Sequence, residues 1–323
     1  VKKVLVVDPI HEEGIKLLKK EVEVIIEKKS SLKTLLEQVR SVDGIIVRGT
    51  NISKETIKNA NKLKVIGSHG SGVDSIDISF ATGKGVIVVN TPDAPTESVT
   101  EHVIGFMLVL AKNILLANRA LREGKFKSKY DYIGKEVANK NLGIIGLGRI
   151  GLSVAKKCID AFNMKVLGYD IYIPRGKRGK IEEMGINIVN NLDILLKESD
   201  FVSLNVPLTK ETKNMIGDKE LRLMKPTAYL INTARGGVID EKALIKALKK
   251  KEIAGAALDV FTIEPPQLDN PLIKMKNVCA TPHIAIATEE ALIRTAVTSA
   301  EEVLKVLRGE KPHYIVNPEV LKK

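Results

Sequence analysis

The chain has 323 residues, 44% hydrophobic and 28% charged, enough apolar material for two buried cores and a balance that excludes a disordered polyelectrolyte. Its formal net charge of +12 allows nucleic acid, an acidic membrane surface or small anions as partners. The lysines are spread along the chain, with no arginine-rich arm, nucleic-acid motif or membrane-length apolar run, so small anions are the partners expected, with no nucleic acid and no membrane. Only Cys158 and Cys279 occur, and the chain starts directly on a strand-like VKKVLVVD without a signal-peptide pattern. A cytoplasmic protein with neither a disulfide framework nor a metal site is expected.

In chain order, the first hundred residues alternate short apolar runs with helical patterns: VLVVD, EEGIKLLKK, VEVII, SLKTLLEQV and DGIIVRG, then apolar runs at 63–67 and 85–89. That alternation predicts a parallel α/β domain over residues 1–95. Asn90-Thr-Pro and Ala94-Pro punctuate the chain before a mostly apolar stretch from Ser98 to Leu121. This stretch reads as one long connecting helix, with Ser98 and Glu101 at capping-box spacing. The strand candidates NLGII, MKVLGYD, DFVSLNV, TAYLINT, IAGAALDV and MKNVCAT predict a second parallel domain over residues 96–287. The last helical pattern, TEEALIRTAVTSAEEVLKVLRG, is expected to pack back on the first domain, so that residues 288–323 complete it. The fold class is α/β: two Rossmann-like parallel-sheet domains with a cofactor and substrate cleft between them.

NLGII leads into Gly146-Leu-Gly148-Arg149-Ile150-Gly151, a helical run follows, and Asp170 closes the next strand. In a dinucleotide-binding turn Gly146 permits the tight bend, Gly148 lets backbone approach a pyrophosphate, and Gly151 lets the helix sit close to the sheet. The amides of Arg149 and Ile150 then meet phosphate charge at the helix start. Asp170 accepts from ribose hydroxyls and repels a 2′-phosphate, which favours NAD over NADP. The basic residues Arg175, Lys177, Arg178 and Lys180 read as a solvated loop, although they offer a counter-charge to such a phosphate.

Four segments near strand ends bring reactive side chains to the edge where α/β sheets bind ligands: Asn232-Thr-Ala-Arg235-Gly-Gly, Leu258-Asp259-Val-Phe, Glu264-Pro-Pro and Thr281-Pro-His283. Together with GSHGSGVDSID, VVNTPDAPTESVTEH, SLNVPLTKETKNMI and INTARGGVIDEKAL, they make the chain resemble the D-isomer-specific 2-hydroxyacid dehydrogenases over nearly its whole length. Within that family it looks most like the short-type phosphoglycerate dehydrogenases.

The resemblance implies that residues 1–95 and 288–323 form a flavodoxin-like substrate-binding domain and residues 96–287 the NAD-binding domain. His283 is implied as the acid/base, Glu264 as its partner, and Arg235 as the clamp on the substrate carboxylate or carbonyl, roles suited to imidazole, carboxylate and guanidinium. Asp259 is implied to orient the nicotinamide carboxamide. Thr233 and Ala234, with Arg235 and His283, run beside the nicotinamide. Val206 and Pro207 border the adenosine half, and Thr212 lies toward the pyrophosphate. Arg48 and the backbone amides of Ser71 and Gly72 are implied to receive substrate. The family also implies a homodimer, with the helix near Ser98 at its interface, and the short chain implies no added regulatory domain.

The expected reaction is reversible NAD-dependent oxidation of a D-2-hydroxy acid, with 3-phosphoglycerate, the entry to serine synthesis, as the preferred substrate. Glyoxylate, hydroxypyruvate and D-lactate are alternatives served by the same catalytic residues. An NAD(H)-sensing, corepressor-like interaction protein is the alternative of another class.

Overall fold

Short aliphatic runs become parallel strands when helices cover both sheet faces, because a buried strand needs apolar side chains in both directions. VLV, GIIV and VIG are such runs, and their residues are almost completely buried. The computed structural model describes residues 1–27 and 31–322. The chain forms two compact units, one of Val1–Thr96 with Ile286–Lys323 and one of Glu97–Ala285.

In the first unit the chain runs through β1 (Lys3–Val6), α1 (Glu12–Lys19), β2 (Glu23–Ile26), α2 (Leu32–Gln38), β3 (Gly44–Val47), α3 (Lys54–Asn59), β4 (Val65–Ser68), α4 (Ile78–Gly83) and β5 (Ile87–Val89). The sheet is parallel, in the order β2-β1-β3-β4-β5, the flavodoxin-like arrangement.

The chain then passes through α5 (Thr96–Ala111) and α6 (Ile114–Arg122), where one continuous helix was expected. The break has a local cause. Gly134 comes so close to Ala111 that a Cβ there would lie 2.5 Å from its carbonyl oxygen. Lys135 N donates to that oxygen at 2.7 Å, taking the acceptor that a continuing helix needs. Asn113 turns left-handed at φ 52°, and its side chain donates to Ile133 O at 3.1 Å. Ser98 does not cap the helix either. It lies in the first turn after Thr96, buried, and its Oγ donates to Ala285 O at 2.6 Å. Among the described residues no single helix is long and apolar enough to cross a membrane, and the α5–α6 pair is bent by 62°.

The second unit continues with β6 (Asn141–Ile145), α7 (Arg149–Phe162), β7 (Lys165–Tyr169), α8 (Arg178–Glu183), β8 (Ile186–Ile188), α9 (Leu192–Glu198), β9 (Phe201–Leu204), α10 (Asp218–Leu223), β10 (Tyr229–Asn232), α11 (Glu241–Lys250), β11 (Gly255–Leu258), α12 (Pro271–Lys274) and β12 (Val278–Ala280). All strands are parallel, in the order β12-β11-β10-β9-β6-β7-β8. The order reverses between β6 and β9, the place where doubly wound sheets leave a crevice. β8 was not among the expected strands. It has three residues, and exposed Asn187 interrupts its apolar pattern.

From Ile286 the chain rejoins the first unit. α13 (Glu289–Arg308) starts at a Thr288 cap and ends at Gly309 in the left-handed region. Its residues Ala300, Val303, Leu304 and Leu307 pack with Val4, Val6, Ile46, Val65 and Val89, covering one face of the sheet.

Candidate active site

In the first unit the carboxyl ends of the strands carry polar loops. Asp8, after β1, accepts from the amides of Arg48, Gly49 and Thr50 at 2.7, 3.0 and 3.1 Å and from Thr50 Oγ1 at 2.7 Å. Burial alone raises the Asp8 carboxyl, but these hydrogen bonds outweigh it and hold the group below its ordinary value. Arg48 is left exposed at the end of β3.

After β4 the carbonyls turn inward. Gly70 O accepts from Thr91 N at 2.9 Å, Ser71 O from Asn90 Nδ2 at 2.8 Å, and Gly72 O from Ser68 Oγ at 2.7 Å. The amides of Ser71 and Gly72 donate to no acceptor among the described residues, so the turn can present N–H groups to an anion. Sequence reasoning missed His69 in this loop. Burial, then the charge of Arg48, pushes its imidazole down to about 4, so it is neutral at physiological pH.

In the second unit β6 ends in the glycine turn. A Cβ on Gly151 would lie 2.0 Å from Gly146 O, so α7 reaches this depth in the sheet only with glycine there. Gly148 caps α7 without a side chain, and a Cβ on it would meet nothing within 4 Å. An uncapped helix start facing open space, formed by Gly148, Arg149 and Ile150, fits a pyrophosphate. Asp170 Oδ2 accepts from Leu147 N at 2.7 Å and Oδ1 from Tyr172 N at 3.0 Å, tying the end of β7 to the turn. Each oxygen retains acceptor capacity for a diol.

Val206 packs over Gly146, and Pro207 is exposed beside it. Thr212, implied to lie toward the pyrophosphate, is bonded within its own turn. It is buried, its hydroxyl donates to Pro207 O at 2.6 Å and accepts from Thr209 N at 2.7 Å, and it shapes the turn from within.

The next two loops meet through glycine. Buried Asn232 ends β10 and braces the turn after it: its Oδ1 accepts from Ala234 N at 3.0 Å and its Nδ2 donates to Arg235 O at 2.9 Å. Thr233, Ala234 and Arg235 are half-buried, and Arg235 Nη1 donates to Ala234 O at 2.7 Å. A Cβ on Gly236 would lie 1.9 Å from the carbonyl carbon of Phe261, so the Arg235 turn and the loop leading to Glu264 touch backbone to backbone.

Phe261 N donates to Glu264 Oε1 at 3.0 Å, and His283 Nδ1 donates to Glu264 Oε2 at 2.7 Å. Burial alone raises the Glu264 carboxyl, but the bonds from His283 and Phe261 and the charges of His283 and Arg235 outweigh it and hold it below its ordinary value. Arg235, Glu264 and His283 are thus brought together. With its proton at Nδ1, His283 leaves Nε2 for exchange, and its side chain is 48% exposed.

Asp259, implied to orient the nicotinamide carboxamide, makes its own bonds within the fold. It is completely buried after β11, and its carboxylate accepts from Thr281 Oγ1 at 2.5 Å, Ile284 N at 2.8 Å and Ala285 N at 2.8 Å. Its backbone oxygen accepts from His283 N at 2.8 Å. The residue holds the loop that carries His283. Among the described residues no group of three or more His, Cys, Asp or Glu side chains is placed to hold a metal ion.

The strand order, the glycine turn and the acid after β7 define a dinucleotide-binding α/β protein. Residues 104–285 match the family model described as "D-isomer specific 2-hydroxyacid dehydrogenase, NAD binding domain". The chain belongs to the D-isomer-specific 2-hydroxyacid dehydrogenase family.

It is 47% identical over 316 residues to D-3-phosphoglycerate dehydrogenase of Methanocaldococcus jannaschii, an alignment covering 98% of this chain and 59% of that protein's length. It is 43% identical over 329 residues to glyoxylate reductase of Thermofilum pendens, covering 99% of this chain and 96% of the relative. Among solved structures it resembles D-lactate dehydrogenase from Aquifex aeolicus complexed with NAD and lactic acid, with a TM-score of 0.85, 32% identity and coverage of 95% and 96% of the two chains. It also resembles the NADPH-dependent glyoxylate/hydroxypyruvate reductase of Sinorhizobium meliloti in complex with NADP and malonate, with a TM-score of 0.86, 26% identity and coverage of 98% and 96%.

Proposed function

We propose that the chain catalyses reversible oxidation of a small D-2-hydroxy acid to the 2-oxo acid with NAD, and the observation that carries this reading is the His283–Glu264 hydrogen bond of 2.7 Å beside Arg235. The nicotinamide, when bound, takes or gives the hydride at C2. His283 Nε2 removes the hydroxyl proton in oxidation and returns it in reduction. Glu264 holds the imidazole by Nδ1 and stabilises its protonated form. Arg235 binds the carboxylate and meets negative charge developing on the carbonyl oxygen. The amides of Ser71 and Gly72, with Arg48, receive the substrate's anionic end. The turn at Gly146, Gly148 and Gly151 with Arg149 and Ile150 holds the pyrophosphate, and Thr233, Ala234, Val206 and Pro207 border the dinucleotide. Asp170 favours NAD, since a 2′-phosphate at its carboxylate would bring like charge, whereas two structural relatives are described with NADPH.

Two substrate readings share these residues. The match to glyoxylate reductase along nearly the whole of both chains supports glyoxylate or hydroxypyruvate, which we place first. The higher identity to D-3-phosphoglycerate dehydrogenase supports 3-phosphoglycerate. The test is oxidation of NADH and of NADPH with glyoxylate, hydroxypyruvate, 3-phosphohydroxypyruvate and pyruvate. The highest kcat/KM is expected with NADH and one of the unphosphorylated acids. A preference for the phosphorylated acid moves the enzyme to serine synthesis, a large preference for NADPH overturns the role of Asp170, and no turnover with any pair favours a cofactor-sensing role.

We also propose a homodimer. Its face is the second half of the expected long helix and the segment after it, from α6 to Ile133, where Ile114, Leu115, Leu121, Phe126, Tyr130 and Ile133 are exposed. Light scattering is expected to give the mass of two chains, and the mass of one would remove the proposal.

A further inference from the structure

His102 lies on α5, far in sequence from every residue to which the mechanism gives a role, yet it points at the loop that carries the acid/base. Its Nε2 is 3.2 Å from Thr281 Oγ1 and 3.8 Å from Asp259 Oδ1. The Thr281 hydroxyl has one hydrogen and gives it to Asp259 Oδ1 at 2.5 Å, so it can only accept from His102. The ring is therefore the Nε2–H form. Its edge-on packing against Phe106, with centroids 4.4 Å apart, fixes its plane. Burial lowers its proton affinity despite the nearby Asp259 charge, which keeps the ring neutral with a single donor at Nε2.

The loop needs such support. His283 sits at φ 55°, a left-handed conformation that costs a residue with a side chain about 1–2 kcal/mol and persists only where surroundings enforce it. Most of the enforcing bonds run to Asp259: His283 N to its backbone oxygen, Ile284 N and Thr281 Oγ1 to Oδ1, and Ala285 N to Oδ2, beside bonds from Thr281 N to Leu258 O and from Ser98 Oγ to Ala285 O. Thr281 and Ile284 share Oδ1, and the His102 donor at Thr281 Oγ1 leaves that hydroxyl's only hydrogen directed at the shared oxygen.

We propose that His102 is a positioning residue for His283, acting through Thr281 and Asp259. The inference rests on the reading of His283 as the acid/base. In His102→Phe, which keeps a ring on Phe106 but has no donor, kcat for 2-oxo acid reduction is expected to fall about tenfold with KM for NADH and substrate within about twofold, the effect of one lost orienting hydrogen bond. His102→Gln places an amide N–H near the former Nε2 and is expected to recover most of the loss. Thr281→Val should lose as much as His102→Phe, and the double variant no more than Thr281→Val alone, because both break one chain of bonds.

An independent readout uses the cofactor-free protein. Hydrogen exchange at the Ile284 and Ala285 amides should quicken about tenfold in His102→Phe and Thr281→Val, but not in His102→Gln. Unchanged exchange at both amides in His102→Phe overturns the proposal, as do losses that multiply in the double variant. If the unaltered protein reduces no 2-oxo acid, the functional reading fails while the exchange result still decides whether His102 holds the loop.

Discussion

His283→Gln is expected to lower kcat for 2-oxo acid reduction by about three orders of magnitude, with NADH affinity within about threefold of the unaltered protein. Glutamine can occupy the place of the ring but cannot deliver a proton at neutral pH, so only the transfer step suffers. The side chain is half exposed and its loop is held through backbone atoms by Asp259, so its replacement leaves the surrounding bonds in place. Steady-state kinetics and NADH fluorescence titration together check this. A kcat within tenfold of the original would remove His283 from the proton-transfer role.

Glu264→Gln extends the same expectation to pH. The lowered value of Glu264 means that its carboxylate supports protonated His283 throughout the neutral range. Without that charge, the loss of reduction activity on the alkaline side should begin at lower pH. Stability has the opposite pH dependence: the contribution of Glu264 is fully present above its ordinary value of 4.5 and is lost as pH falls through the lower value of the folded state.

Arg235→Lys is expected to lower kcat/KM by about a hundredfold, through both parameters, while binding of NADH stays within about threefold. A lysine keeps the charge but replaces a planar fork with a single flexible point charge, so one carboxylate or carbonyl contact is lost. Arg235 is also fixed from behind: Asn232 holds its carbonyl, and Gly236 lets its turn rest on the Phe261 backbone. A lysine at this position inherits the backbone geometry, and the change isolates the guanidinium. An unchanged kcat/KM would move substrate recognition to the first unit's residues, Arg48, Ser71 and Gly72.

Most of the architecture is legible wherever a strand is an unbroken aliphatic run, as at VLVV, GIIV and NLGII, since burial on both faces leaves that trace. β8 escapes because three residues with an exposed Asn187 at their centre make no run. The division of α5 from α6 escapes because its cause is Gly134 and Lys135, whose approach to Ala111 has no local signature. The identities of Arg235, Glu264 and His283 were readable from motifs in their order, whereas their proximity depends on how two loops are folded.

Asp259 was legible as a site residue, but its bonds to the loop that carries His283 were not. An aspartate at a strand end looks the same in sequence whether it faces a ligand or supports a neighbouring loop. The contact between His102 and Thr281, 179 positions apart, left no signal.

The return of the chain at Ile286 also governs the order in which the protein can be finished during synthesis. Val4, Val6, Ile46, Val65 and Val89 wait for Val303, Leu304 and Leu307, which the ribosome supplies only after the whole of Glu97–Ala285. At ordinary elongation rates that interval is roughly ten to forty seconds, during which this face of the first sheet lacks its α13 cover while the second unit is made strand by strand. The domain begun first is completed last, and the nascent chain must keep four valines and Ile46 from other partners until its own closing helix arrives.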